Sequence, residues 1–130
     1  MKKQTFVKLI TLTAMLLIVS LTPANAYEIL IDVSPNVLNL QSKGTVVTVH
    51  TNIDYDLVMA SSVFLNNVPI SFYKSDDRGY FVAKFDMDDI KGLPLIIGEF
   101  NTLLLIGMTE DGLAFTGSQE IKVIDIISNK

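Results

Sequence analysis

The run Phe100-Asn101-Thr102-Leu103-Leu104-Leu105-Ile106-Gly107-Met108-Thr109-Glu110-Asp111-Gly112-Leu113-Ala114-Phe115-Thr116 decides the fold class. Two apolar stretches of strand length flank Asp111-Gly112, and Asp-Gly is a strong hairpin signal because the glycine accepts the positive φ of a tight reversal. An antiparallel pair is therefore expected over Phe100–Met108 and Leu113–Thr116. A further strand is expected over Glu120–Ile127 to close the chain.

Upstream, short alternating runs are separated by turn residues, as in an all-β protein. Ile29–Val33 opens, Ser34-Pro35-Asn36 breaks it, and Val37–Leu40 resumes. Lys43-Gly44 turns into Thr45–Thr51, rich in the β-branched residues that suit a pleated surface. Asn52–Asp56 reads as a loop. Val63-Phe64-Leu65 and Val68-Pro69-Ile70 flank Asn66-Asn67, a two-residue hairpin turn, and Pro69 puts its strand at a sheet edge because it has no N–H to donate. Lys74–Gly79 reads as another loop before Tyr80–Phe85, where Phe81, Ala83 and Phe85 share one face and Tyr80, Val82 and Lys84 the other. Asp86–Lys91 has room for one helical turn. Seven to nine short strands in about 100 residues predict an antiparallel, Ig-like β-sandwich.

Residues 1–26 read as a cleaved Sec signal peptide. Lys2, Lys3 and Lys8 precede an uncharged apolar stretch from Leu9 to Leu21, and Ala24-Asn25-Ala26 supplies the small-x-small cleavage pattern. The apolar stretch is shorter than the roughly 20 residues a spanning helix needs, so the processed chain is not expected to span a membrane. Residues 27–130 then form a single exported domain, in the periplasm or at the cell surface. Seven basic residues remain in it against fourteen acids, a balance that argues against nucleic acid as a partner. There is no cysteine, so neither a disulfide nor a lipid-modified cysteine is possible.

No catalytic, metal or cofactor site is expected. His50, the sole histidine, falls on the solvent parity of its strand, and a nucleophilic triad has neither a cysteine nor a G-x-S-x-G turn to build on. One histidine and no C-x-x-C-H exclude structural zinc and haem. Asp86-x-Asp88-Asp89 starts like a calcium loop but has Lys91 where glycine and Ile97 where a bidentate glutamate would be required. These acids, with Asp76-Asp77 and Glu110-Asp111, read as solvated turn residues, with a calcium site assembled from separate loops as the alternative.

The unusual feature is excess hydrophobicity. A sandwich strand should be apolar on one face only, yet Leu103 and Leu105 oppose Leu104, Ile106 and Met108, and Ile121 and Val123 oppose Ile124 and Ile126. If the two strands are neighbours, their second faces make one apolar patch, extended by Phe100 and by Leu95 and Ile96 of the Gly92–Gly98 loop. Burying five such side chains is worth about 8–12 kcal/mol in gross transfer terms. These eight residues are the candidate partner interface.

The stretches Ile31-Asp32-Val33-x-Pro35, Val82-Ala83-Lys84-Phe85-Asp86 and Asp111-Gly112-x-x-Phe115-x-Gly117-Ser118 resemble the small Ig-like modules of bacterial surface proteins. The leader followed by a free-standing acidic β domain is similar to the geopilin domain 2 proteins, the globular halves of split type IV pilins. That resemblance implies a non-enzymatic structural subunit, without cofactor, that binds a short helical pilin chain supplied in trans. It also implies that copies of the heterodimer assemble into an extracellular filament. The absence of glycine before Gly44, and so of a prepilin cleavage site, fits a chain that needs its helix from elsewhere. The alternative is a periplasmic or cell-surface accessory or adhesion module with another protein partner.

Overall fold

The computed structural model describes residues 26–127. The leader expected over 1–26 lies, apart from Ala26, outside the described residues. Ten strands form two sheets: β1 (Tyr27–Glu28), β2 (Ile31–Ser34), β3 (Val37–Asn39), β4 (Val46–Asp54), β5 (Val58–Leu65), β6 (Val68–Pro69), β7 (Phe72–Ser75), β8 (Tyr80–Asp86), β9 (Phe100–Thr109) and β10 (Ala114–Ile124). One sheet has the order β1-β10-β9-β5-β6, with β3 also on β10, and the other has the order β2-β4-β8-β7. Only β1 and β3 run parallel to their neighbour, each taking a different end of the β10 edge. The molecule is an all-β, antiparallel-rich sandwich.

The period-2 alternation of side chains builds the core. From β4, Val47, Val49 and Ile53 point inward; from β8, Phe81, Ala83 and Phe85 do. Facing them are Val63 and Leu65 of β5, Leu103 and Leu105 of β9, and Phe115, Ile121 and Val123 of β10. The two-sheet arrangement begins at the first strands, where the chain changes sheets between adjacent residues. The Ile29 amide donates to the Thr116 carbonyl of one sheet (2.8 Å), and the Leu30 amide to Oδ1 of Asn52 on β4 of the other (2.8 Å).

Two hairpins form where turn chemistry places them. Asn66 and Asn67 take φ of 45° and 69°, and Gly112 takes 88°. The last hairpin depends on a second glycine. Gly107 of β9 pairs with Phe115 of β10 and faces inward, and a Cβ there would stand 2.4 Å from Cζ of Phe115. The ring lies over the glycine backbone, so the large side chain on one strand needs the missing one on the other.

Several expectations are corrected. Glu120–Ile127 is not a separate strand: Ala114–Ile124 form one strand, β10, that runs through Gly117, and Leu113 and Asp125–Ile127 lie outside it. That glycine does not break the strand; it leaves room for Ile31, whose Cγ2 would lie 2.6 Å from a Cβ. Asn52–Asp54 is not loop but the end of β4, past an irregularity in its pairing with β8. Thr51 lies in that irregularity, donating its hydroxyl to the Phe81 carbonyl at 2.6 Å, and Ile53 is buried beyond it. Strand β7 overlaps the expected Lys74–Gly79 loop; its exposed side chains give an edge strand no apolar alternation to detect. The predicted helical turn is α1 (Met87–Lys91), capped by Asp86, whose Oδ1 accepts the Asp88 amide at 3.0 Å. Met87 and Ile90 anchor it in the core, since five residues cannot hold a helix by themselves.

Replacing Gly107 with Ala is expected to destabilise the domain by about 1–3 kcal/mol through overpacking against Phe115. A lower urea midpoint with an unchanged slope is the expected observation.

Candidate docking surface

Strand β9 sorts its apolar residues by parity. Leu103, Leu105 and Gly107 go inward, while Phe100, Leu104, Ile106 and Met108 go outward. Leu104, Ile106 and Met108 retain 43%, 39% and 41% exposure, so the core does not cover them. On the β5 side, Met59 stands opposite Met108 and Phe64 opposite Ile106, both half-buried. These five side chains make one apolar surface along β9 and β5.

The expected patch shared between β9 and β10 is not what the register produces. Opposite Ile106, Leu104, Thr102 and Phe100 stand Thr116, Ser118, Glu120 and Lys122, so the outer face of β10 is polar along most of its length. Ile124 and Ile126 lie beyond it, at the Phe100 end of the sheet. Ile124 is half-buried and paired with Asn39. The Ile126 backbone is held at both its amide and its carbonyl by the Asn39 side chain (3.1 and 2.9 Å). Phe100 is exposed with the Lys122 ammonium 5.7 Å from its ring centre. Ile96 is exposed and fixed through its backbone by Asn101, whereas Leu95 is half-buried against the core. The eight candidate residues thus fall into two areas, with the Thr102–Glu120 pair between them.

The Gly92–Gly98 loop does stand beside the first area, through Leu93 and Pro94 and not through Leu95 and Ile96. Leu93 and Pro94, with Asn66 and Asn67, form an open cleft of about 370 Å³ together with Leu104 and Ile106. Asn66 fixes its end: its Oδ1 accepts the Leu104 amide (2.7 Å) and its side-chain amide donates to the Thr102 carbonyl (3.1 Å). A turn asparagine thereby continues the β9 ladder past the end of β5. Helix α1 does not cover the surface, because its two apolar side chains are committed to the core.

The remaining candidates have local structural roles. His50 is exposed on β4, in register with Asp32 and Val82. Asp86 caps α1, with Asp88 and Asp89 in its first turn where the helix dipole favours acids. The Asp111 carboxylate accepts the Thr109 hydroxyl inside the last hairpin. In the β7–β8 turn, Oδ1 of Asp76 accepts the amides of Tyr80 (2.9 Å) and Arg78 (2.8 Å). The Tyr80 amide, then that of Arg78, and the Arg78 and His50 charges hold the Asp76 carboxyl below its ordinary value of 3.8. Among the described residues no cluster of three His, Cys, Asp or Glu side chains is placed to hold a metal, and no helix is long and apolar enough to cross a membrane.

No protein-family model, no curated protein and no solved structure matches this chain.

Two outcomes follow. Leu104→Thr and Ile106→Thr are each expected to change folding stability by less than about 1 kcal/mol, whereas Leu105→Ala, between them but inward, is expected to cost about 2–5 kcal/mol; urea denaturation of the three variants checks the parity. For Asp76, a folded pKa below the unfolded one means its stabilisation is complete above the unfolded value and fades as pH falls through the folded value. Asp76→Asn keeps the accepting oxygen but cannot titrate. Its stability curve is therefore expected to fall less steeply than the wild type below pH 3.8.

Proposed function

We propose that this chain is an exported, non-enzymatic structural subunit whose β9–β5 face receives an apolar helix from a second chain. In the sharper form of the reading it is the globular component of a two-chain type IV pilus. The observation that carries it is the row Leu104, Ile106 and Met108, left open along β9 beside the Leu93–Pro94 wall. The likeness of the leader and the acidic β domain to geopilin domain 2 proteins supports the choice of partner.

Size and shape favour a helix. Four residues of strand separate Leu104 from Met108, about 13 Å, which matches two to three helical turns. A helix with apolar residues at i, i+3, i+4 and i+7 lays its stripe along such a row. The short strand β6 with Pro69 at the sheet edge offers little backbone for strand addition, so side-chain packing is the more natural contact.

Magnitudes decide how such a contact works. More than half of Leu104, Ile106 and Met108 is already shielded within the chain, and Met59 and Phe64 are half-buried. What remains to be buried is worth roughly 3–5 kcal/mol, well under the gross value for fully exposed side chains. After docking costs, one face supports only weak pairwise association, around millimolar or poorer. Repetition raises the effective concentration of each contact, so copies of the same heterodimer in a filament would hold together where a free pair would not.

Immunogold microscopy of sheared surface fibres, with an antibody against this chain, tests the reading. Labelling along fibres that also contain a short helical chain is expected, as is its loss in a Leu104→Lys, Ile106→Lys double variant that still folds and is exported. Unlabelled fibres, with the chain bound instead to some other envelope protein, would favour the accessory-module reading. Labelled fibres indifferent to the double variant would move the contact off this face.

A further inference from the structure

A second cavity, of about 270 Å³, opens at the 3₁₀ turn Tyr55–Leu57, where the chain crosses from β4 in one sheet to β5 in the other. It shares no lining residue with the β9 cleft. Phe81 and Val58 are its most buried lining side chains, and Tyr55 and Tyr73 stand further out. The three rings form one aromatic wall. Their centres are 6.1–6.3 Å apart pairwise, and their planes differ by only 20–32°. Asp56 and Glu110, both exposed, complete the lining. The Glu110 amide donates to the Leu57 carbonyl at 2.8 Å, which ties the turn after β9 to this cavity.

The lining contains no lysine or arginine. The chain's one arginine, Arg78, lies over a different ring, 5.4 Å from the centre of Tyr80. Two carboxylates and an aromatic wall therefore face a space with no cation of the lining to balance them. A neutral, hydroxyl-rich ligand such as a sugar would need donors and acceptors alike, yet apart from two phenol hydroxyls the polar side chains here only accept. A positively charged donor group meets both features. A ring face attracts it through its quadrupole, and the carboxylates accept its N–H bonds. A planar guanidinium suits the site better than a compact ammonium, because it stacks on rings and presents several N–H groups at its edge. The volume suits one side chain and falls short of a drug-sized ligand.

We infer that this cavity receives an arginine side chain presented by a partner polypeptide, its guanidinium against Tyr55 and Tyr73 and its N–H edge toward Asp56 and Glu110. The site is independent of the β9 face and of the pilus reading, so either can fail without the other.

The test is a titration of the nitrogen-15-labelled protein, expressed from the full chain and purified after export, followed by two-dimensional amide NMR. The probes are N-acetyl-arginine amide and its uncharged near-isostere N-acetyl-citrulline amide. Expected are shifts confined to residues 55–60, 73, 81 and 110 with the arginine probe, and none there with the citrulline probe. A D56N/E110Q double variant removes only exposed charges, so its unperturbed spectrum should show an intact fold; the arginine affinity should then drop on the order of tenfold. Tyr73→Ala should lose a similar amount. Equal shifts with both probes, shifts scattered over the acidic surface, no shifts in the cavity, or an affinity untouched by D56N/E110Q would overturn the assignment. If Tyr73→Ala perturbs the fold, the carboxylate variant decides the matter alone.

Discussion

The pairing of Phe115 with Gly107 constrains everything else in this molecule. Strand β9 is apolar on both parities, so hydrophobicity alone does not say which of its faces belongs inside, and a slip of one residue would exchange them. The inward phenylalanine ring fits only over a position without a Cβ, and β9 has one glycine. With the ring seated on Gly107, the Asp111-Gly112 turn closes in one register. Leu103 and Leu105 must then enter the core, leaving Leu104, Ile106 and Met108 outside. Asn66 reinforces the choice from the other edge by binding the backbone at Thr102 and Leu104. The apolar outer row is thus a consequence of a packing constraint on the opposite side of the same strand.

The first strands and the polar side chains serve the same frame. By turning its backbone from one sheet to the other between Ile29 and Leu30, the chain joins both sheets before β4 begins. Val33 is tied across to the Gln119 side chain at 2.5 Å, so β2 of one sheet is held to β10 of the other by a hydrogen bond as well as by packing. In a domain without disulfides such cross-sheet ties matter, because packing and hydrogen bonds must supply all of the stability. The acids, which dominate the charge, cap helix α1 at Asp86 and brace turns at Asp76 and Asp111. Their spacing reflects the positions of the turns.

The apolar face and the aromatic cavity lie in different parts of the sandwich and offer different chemistry. One is an extended row that contributes little per contact and gains from repetition. The other is a small charged pocket suited to a single side chain. If both proposals hold, the chain has a means of packing and a separate means of selecting what it packs against.

Local backbone chemistry made much of this legible in the sequence. Asn66-Asn67 and Asp111-Gly112 announce their hairpins because few residues accept positive φ. The inward set Phe81, Ala83 and Phe85 follows from alternation, and the doubled apolar parity of Leu103–Met108 marks a strand with more hydrophobic surface than one core needs. The sequence by itself therefore determined the all-β class, the two tight turns and the existence of surplus apolar side chains, since each depends on residues close together in the chain. Only the tertiary structure decided that β10 shows a polar outer face to its neighbour, that Gly117 is a contact and not a break, and that Tyr55, Tyr73, Phe81 and Glu110 share a cavity. Those facts depend on register and on sheets meeting across space, and side chains tens of residues apart carry no local pattern that announces their meeting.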